Sequence, residues 1–237
     1  MMYCTTYNSN LSFRKKRREN DNLEQQAQAL FDHYFCLDSK YISESISGTL
    51  TDIATYLNGL AMQKFPPIDN EHSLPVLKIK ELGQRKCDDN SDRCSNTIDI
   101  NYIINNGDII FSWSGTLMVD IWCGGECGLN QHLFKVTPKK DIPQWLVYYW
   151  TNRHLNKFKL IAKDKAVTMG HIKRCDLESA KILIPTKQNM NEIHAKINPL
   201  YQSIIQKRLE ISKLETLRDT LLPRLMSGEL KINDLNC

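Results

Sequence analysis

Long apolar runs are missing from this sequence of 237 residues. No stretch approaches the roughly 18 consecutive apolar residues of a membrane-spanning helix, which excludes a transmembrane protein of that kind. Residues 1–10 are polar and lack the apolar core of a signal peptide. Cysteine occurs eight times, but without an export signal this number indicates free thiols in a reducing compartment. We therefore expect a cytoplasmic protein without disulfides.

Motifs of the common enzyme classes are also missing. The sequence has no G-x-x-x-x-G-K-[ST] phosphate loop, no G-x-S-x-G nucleophile turn and no N/D-P-P-Y/F methyltransferase motif. Ser112, Ser114 and His132 lie close in sequence, yet no acidic residue stands at a spacing diagnostic of a catalytic triad. We interpret the chain as non-catalytic, with a serine-type hydrolase as a remote alternative.

The cysteine spacing gives little support to a zinc site. Cys123 and Cys127 form a C-x3-C half-site, whereas Cys87 and Cys94 are separated by six residues. Structural zinc favours tighter pairs, although C-x3-C lies within the tolerated range. Free cysteines and no bound metal are the favoured interpretation, and a zinc-dependent hydrolase is the alternative.

Positive charge is concentrated in one segment. The whole chain has a net charge of +4, from 31 Lys and Arg against 27 Asp and Glu. Residues 139–174 contain nine basic and two acidic residues, a net charge of +7, which leaves −3 for the rest. Such a field attracts polyanions, because each phosphate that is neutralised releases a condensed counterion. A solvated, lysine-rich helix face is the alternative interpretation.

The middle of the chain predicts a mixed domain. Runs at 74–79, 108–113, 132–136 and 181–184 are typical of strands and are separated by Asn- and Gly-rich turns. Residues 143–160 have helical periodicity with an apolar face that becomes basic. We therefore predict an α+β fold, divided into an N-terminal tail and helix (1–47), a mixed domain (48–186), a long helix (187–228) and a C-terminal tail (229–237).

Both regions that flank the mixed domain have a helical seam, that is, a narrow row of apolar side chains along one face of a predicted helix. In residues 11–35, and again after residue 185, apolar side chains recur at spacings of three and four, except where Lys207 and Arg218 stand in the seam. Pro199 begins or kinks the long helix, and Gly228 ends it. A narrow seam needs a partner helix, so we expect the two helices to pair, within one chain or between two. The pairing positions are Leu23, Ala27, Leu30, Tyr34, Leu200, Ile204, Ile211, Leu214, Leu221 and Leu225.

Polar, aromatic and basic residues collect at the predicted loops and strand ends. Asn and Gln can read adenine edges, Arg and Lys can read guanine edges, and lysines can hold phosphates. Each residue alone is an ordinary loop residue, but in combination with the basic segment they indicate a DNA-contacting surface. The candidate contacts are Gln84, Arg85, Lys86, Arg93, Trp113, Asn130, Gln131, His132, Lys163, Lys165, Thr168, His171, Lys173 and Arg174.

Three segments follow one another in the mixed domain: 107–115 (GDIIFSWSG), 129–136 (LNQHLFKV) and 168–174 (TMGHIKR). In this order they resemble the target-recognition domain of the DNA-specificity subunit of type I restriction-modification enzymes. Residues 214–230 resemble that family's second conserved helical region, and residues 23–31 resemble the end of the helical spacer that precedes a recognition domain. The resemblance covers about residues 13 to 231.

The resemblance implies a non-catalytic subunit that reads double-stranded DNA for methylation and restriction subunits. It also implies no cofactor in this chain, because S-adenosylmethionine, ATP and Mg²⁺ are used by the partner subunits. Family members usually hold two recognition domains separated by long antiparallel helices, and each domain reads half of a split target. We therefore expect 48–186 to be a recognition domain whose flanking helices form an antiparallel, coiled-coil-like spacer.

The sequence departs from this pattern because it holds one recognition domain and a short first helix. We interpret it as a half-subunit that forms a homodimer or pairs with another half-subunit. A symmetric pair reads an inverted repeat with a gap, since a two-fold protein matches a palindromic site. Two alternatives stay open, a helical adaptor that does not read DNA and a silent recombination cassette.

Overall fold

The structure, a computed structural model, describes residues 2–36, 39–164 and 171–229, with the backbone alone for 2–12 and 164. Its helices are α1 (Met2–Tyr34), α2 (Leu50–Ile53), α3 (Ile79–Gln84), α4 (Gln144–Asp164), α5 (Arg174–Glu178) and α6 (Lys187–Met226). Its strands are β1 (Ile46–Thr49), β2 (Ala54–Asn58), β3 (Ser73–Leu77), β4 (Arg93–Ser95), β5 (Ile103–Ile104), β6 (Ile109–Ser112), β7 (Met118–Ile121), β8 (Cys127–Leu129), β9 (Leu133–Pro138) and β10 (Lys181–Ile184). Two short 3-10 turns, Met62–Lys64 and Ile100–Tyr102, complete the described elements.

The central sheet is antiparallel, with the strand order β2-β9-β6-β7. Its inner strand β6 is buried on both faces, which explains why its sequence is continuously apolar rather than alternating. Ile109 and Phe111 face the large core against α4, whereas Ile110 faces a second, smaller core. The strand predicted at 108–113 is therefore confirmed in the middle of the sheet.

A second sheet, in the order β4-β3-β8-β5, lies on the far side of β6. Its strands have two to five residues, and β3 and β8 run parallel within it. Strands β1 and β10 pair separately, with Ile46 opposite Ile184. This pairing brings the chain entering the mixed domain next to the chain leaving it, so the end of α1 and the start of α6 lie on the same side of that domain.

The helices α1 and α6 pair antiparallel within the chain, as the seams predicted. Interhelical ion pairs join Lys16 Nζ to Glu210 Oε1 at 2.5 Å and Lys207 Nζ to Glu19 Oε2 at 3.2 Å, and Arg17 binds Glu215. Residues 14–18 (RKKRR) are all basic, and two of them thus pair with acidic residues of α6. The second seam exception also contacts α1, because the Arg218 guanidinium lies 5.3 Å from the centre of the Phe13 ring.

The predicted pairing positions are buried to different depths. Ala27, Tyr34 and Ile204 are buried in the core that also holds α4, so this part of the helix pair is attached to the sheet domain. The other positions are half-buried: Leu23, Leu30, Leu200, Ile211, Leu214, Leu221 and Leu225. The helix α6 continues through Pro199 and ends at Met226. Two residues later, Gly228 has a φ of +75°, the left-handed conformation that is typical after a helix end. The predicted α+β fold with an antiparallel helical spacer is confirmed.

Six cysteines of the described part of the chain are free thiols: Cys36, Cys87, Cys94, Cys123, Cys127 and Cys175. Within that part, no three His, Cys, Asp or Glu side chains are grouped as a metal site. None of the described helices is long and apolar enough to cross a membrane.

We expect acidification to destabilise the fold through His154. This side chain on α4 donates from Nε2 to the Lys181 carbonyl of β10 at 2.8 Å. Burial lowers the pKa of His154 below its ordinary value of 6.5, and the hydrogen bond to Lys181 opposes this only in part. The unfolded chain therefore takes up the proton first, so the contribution present above about pH 6.5 is lost as the pH falls through the folded pKa.

Urea unfolding of the wild type and of His154→Gln at pH 7 and pH 5 measures this contribution. The midpoint should fall more for the wild type than for the variant, which has no titrating group at this position. An equal fall in both proteins would contradict the assignment.

Candidate nucleic-acid interface

Trp113 joins three separate segments at one end of the central sheet. It follows β6 directly, and its indole Nε1 donates to Asn58 Oδ1 at the end of β2, at 2.9 Å. Its ring centre lies 6.1 Å from that of His132 and 5.7 Å from that of His171. Its carbonyl accepts from the Ile172 amide at 2.9 Å. Three predicted contacts, Trp113, His132 and His171, are thus brought together from distant parts of the sequence.

A cleft of about 890 Å³ opens beside this cluster. Its walls include Trp113, His132 and His171, together with Lys159 and Lys163 from the last turns of α4. Both lysines are exposed and belong to the basic segment predicted to attract polyanions. The cleft therefore combines aromatic and imidazole groups with two cationic side chains.

A second groove, of about 580 Å³, lies along the outer strand β2. Phe134 lines it, and its ring centre is 5.6 Å from that of Trp113. Lys139 and Arg174 also line this groove, and 83% of the Arg174 side chain is exposed although it pairs with Glu178 at 3.2 Å. Trp113 and Phe134 thus form a ridge between the cleft and the groove, and each depression carries two basic side chains.

Two glycines allow the turns at this ridge. A side chain at Gly59 would place its Cβ 2.2 Å from the Asn130 carbonyl oxygen, so only glycine lets the chain after β2 pass so close to residue 130. Gly115, in the turn between β6 and β7, has a φ of +61°, a left-handed conformation that glycine adopts without strain. The turns that carry Asn58 and Ser114 depend on these two positions.

The neighbouring residues 130 and 131 support His132. Asn130 is buried, and its Oδ1 accepts from the His132 amide at 3.2 Å, so it holds the turn. Gln131 Nε2 lies 3.3 Å from His132 Nε2 and is half-buried beside it. Of these two predicted contacts, Gln131 is placed at the surface and Asn130 is placed beneath it.

Four other predicted contacts lie away from the ridge. Gln84, Arg85 and Lys86 are exposed at the end of α3 near the helix pair, where Lys86 Nζ is 3.9 Å from Asp219 Oδ2. Arg85 has a φ of +58°, a strained value for a non-glycine residue, and its Nε donates to Asp120 Oδ2 at 2.6 Å. Arg93 donates to Ser73 Oγ at 2.7 Å in the second sheet.

The remaining predictions follow α4. Lys173 is exposed next to Arg174, immediately before α5. Lys165 and Thr168 lie outside the described residues. Five residues of the site are absent from the sequence-based set: Asn58, Ser114, Phe134, Lys139 and Lys159. The two lysines belong to the basic segment 139–174, whereas Asn58 stands in an Asn-Gly pair, which predicts a turn and no contact.

Ser114 and His132 form a hydrogen-bonded pair, with Ser114 Oγ 3.0 Å from His132 Nδ1. A hydrolytic triad needs a carboxylate to orient the imidazole and to stabilise its charged form. The other ring nitrogen of His132 faces the Gln131 amide instead. Among the described residues no carboxylate is bonded to the His132 ring, so the geometry there gives no support to a serine-type hydrolase.

The fold and the site define a class of protein: an α+β domain that presents aromatic, imidazole and basic side chains at its strand ends and stands on an antiparallel helix pair. The chain belongs to the family of type I restriction modification DNA specificity domains, whose family model matches residues 43–215. The family that the sequence resembled is thereby confirmed.

Individual relatives agree with this assignment. The type I restriction enzyme MjaIX specificity subunit of Methanocaldococcus jannaschii is 25% identical over 247 residues, which cover 93% of this chain and 56% of that protein. Two crystal structures have the same fold, each with a TM-score of 0.53. The HsdS subunit from Thermoanaerobacter tengcongensis is 12% identical, with 96% of this chain and 56% of that chain covered. The type I S subunit from M. genitalium is 16% identical, with 92% and 59% covered. The chain thus spans a little over half the length of these relatives.

Proposed function

We propose that this chain is the DNA-reading specificity subunit of a type I restriction-modification complex and recognises one half of a bipartite target. The observation that carries the proposal is the convergence of Trp113, His132 and His171 on a ridge with two basic side chains on each side. Recognition of a DNA sequence needs phosphate contacts that position the protein and base contacts that specify the sequence. In a member of a DNA-specificity family, this ridge supplies both kinds of group.

The flanking cations Lys139, Lys159, Lys163 and Arg174 hold phosphates on either side of the ridge. Between them, Gln131 and His132 reach base edges in the major groove, where each base pair presents its own pattern of donors and acceptors. Lys173 and His171 extend the same surface, while Lys165 and Thr168, which lie outside the described residues, stay predicted contacts. Gln84, Arg85, Lys86 and Arg93 stay predicted contacts away from the ridge, and Asn130 stays one beneath it. Arg85 and Asn130 also support the structure, through Asp120 and the His132 amide.

The subunit works without a cofactor of its own and is not an enzyme. Methyl transfer from S-adenosylmethionine and ATP- and Mg²⁺-dependent cleavage belong to the methylation and restriction subunits, which act in the cytoplasm. Residues 48–186 form the recognition domain, 1–47 contain the first helix of the pair, 187–228 form its second helix and 229–237 follow it. Because one recognition domain reads one half-site, two copies, or this chain and another half-subunit, complete the reader.

Methylome sequencing of a host that expresses this chain with its methylation subunit tests the proposal. The expected result is a new split adenine-methylation motif. An inverted repeat in that motif identifies two copies of this chain, because a two-fold reader matches a two-fold site. An asymmetric motif identifies a second, different half-subunit.

His132→Ala should weaken binding to the motif about 5- to 150-fold, the effect of losing a base contact worth roughly 1–3 kcal/mol. The matched control is His72→Ala, which removes an exposed histidine from the loop before β3. Equally weakened binding to the motif in both variants, or unchanged binding in both, would contradict the assigned contact. If the folded chain binds the methylation subunit and yields no motif, the silent cassette or adaptor is favoured instead.

A further inference from the structure

A cluster of four charged side chains joins the helix pair to the sheet domain. Arg208 of α6 donates from Nη1 to Asp120 Oδ1 of β7 at 2.6 Å, and from Nη2 to Glu24 Oε1 of α1 at 2.7 Å. Its Nη1 also donates to the Ile121 carbonyl at 3.0 Å. Arg85, at the end of α3, completes the cluster through Asp120, and its Nη1 is 3.9 Å from Glu24 Oε1. One guanidinium thus contacts α1 and β7 simultaneously.

The buried charge of Arg208 depends on the carboxylates of Asp120 and Glu24. The Arg208 side chain is 5% exposed and that of Asp120 is 11% exposed, so neither charge is solvated by water. Burial by itself lowers the pKa of Arg208, but the carboxylates of Asp120 and Glu24 outweigh it and raise that pKa above its ordinary value. Arg208 therefore stays charged and must keep its partners, because a buried charge that loses its partner is strongly unfavourable. The N–H groups of the planar guanidinium point in fixed directions. Their hydrogen bonds therefore also fix the angle between α6 and the elements that they join, which apolar contacts do not.

The position of Arg208 along α6 lets the cluster fix the orientation of the rest of this helix. Arg208 is the last buried residue of α6, and beyond it α6 lies beside the sheet domain with open grooves between them, one next to residues 83–85 and one next to residues 123–125. Beyond Arg208, an exposed ion pair between Lys86 and Asp219 also joins α6 to the sheet domain. Exposed ion pairs of this kind contribute little. From Arg208 to the end of α6 at Met226 the helix rises about 27 Å at 1.5 Å per residue. A rotation of about 7° at Arg208 thus moves the helix end by about 3.4 Å, which is one base-pair step of duplex DNA.

We propose that Arg208 is a positioning residue that sets the gap length between the two half-sites, by fixing the angle at which the helix pair leaves the recognition domain. The inference rests on the proposed function, in which the helix pair connects two readers. A rigid joint admits one gap length, whereas a loosened joint also admits gaps that are one base pair longer or shorter.

Two measurements on the full-length chain test this role independently. Residual dipolar couplings of backbone amides report whether the sheet domain and the end of the helix pair share one alignment tensor. We expect one tensor for the wild type and two for Arg208→Met. The methylome of each variant gives the gap length. For Arg208→Met, the preference for the wild-type gap should fall about tenfold or more, as expected when one charged hydrogen-bonded contact is lost.

Lys207→Met is the matched control, because Lys207 forms ion pairs with Glu19 and Glu210 and so connects only the two helices. It should keep one tensor and one gap length. If Arg208→Met does not fold, Asp120→Asn supplies the milder test, since it removes one charge and leaves Glu24 paired with Arg208. A folded variant with one tensor and an unchanged gap overturns the inference. The dipolar couplings test the joint even if the wild type yields no methylation motif, so failure of the joint and failure of the proposed function are distinguishable.

Discussion

Replacing Lys139, Lys159, Lys163 and Arg174 together by glutamine should nearly abolish DNA binding at physiological salt. These four side chains stand two on each side of the ridge formed by Trp113 and Phe134. Each phosphate contact contributes about 0.9 to the slope of log K against log salt, so four contacts contribute about 3.6. At 0.15 M salt this corresponds to roughly a thousandfold in affinity. Fluorescence anisotropy with a labelled 30-base-pair duplex of random sequence, measured over a salt series, gives both quantities.

The control variant replaces four exposed lysines outside the basic segment: Lys64, Lys187, Lys196 and Lys213. It changes the net charge by the same amount, so it measures what the general field of the protein contributes. Its slope should stay close to that of the wild type. Equal slopes in the two variants would mean that binding follows total charge and does not use the ridge. A flat salt response in the wild type would identify the adaptor alternative, which does not touch DNA.

The sequence predicts those parts of the fold in which apolar residues recur at a regular spacing. The strand β10 was predicted with the observed bounds, 181–184, and β6 and α4 within a few residues. The regular spacing of apolar residues in the two helices predicted that the helices pair. Lys207 and Arg218, the two basic residues at apolar positions of α6, also contact α1. In contrast, β4, β5 and β8 have two or three residues each, too few for a period to be visible.

The candidate site could be predicted only in part, for a physical reason. Residue type at the predicted loops and strand ends indicated Trp113, His132 and His171, and the concentration of positive charge indicated the end of α4. Arg85 and Asn130 have the residue types of DNA contacts, but only the structure shows that Arg85 also binds Asp120 and that Asn130 also holds the turn beneath His132. Asn58 becomes part of the site because β2 ends beside Trp113, a neighbourhood that strand pairing creates.

Replacing Phe31 by alanine should lower the free energy of unfolding by about 3–5 kcal/mol, as for other fully buried aromatic residues. The Phe31 side chain of α1 is fully buried. Its ring centre lies 5.2 Å from that of Tyr149 and 5.4 Å from that of Trp150, both on α4. Such aromatic pairs contribute beyond the area they bury, so the loss should lie toward the upper end of the range. Urea unfolding followed by far-UV circular dichroism measures it.

Phe13→Ala is the control on the same helix, because Phe13 is half-buried and contacts Arg218 beyond the sheet domain. A contact of this kind is worth about 1 kcal/mol or less. A large difference between the variants means that α1 has two halves, one that belongs to the core of the recognition domain and one that belongs to the helix pair. Equal losses would mean that α1 is attached only through α6. If the losses differ in this way, α1 is fixed to the recognition domain at one end and to α6 at the other, so the helix pair follows the orientation of the domain. Only then can the contacts of Arg208 set the distance between the two half-sites.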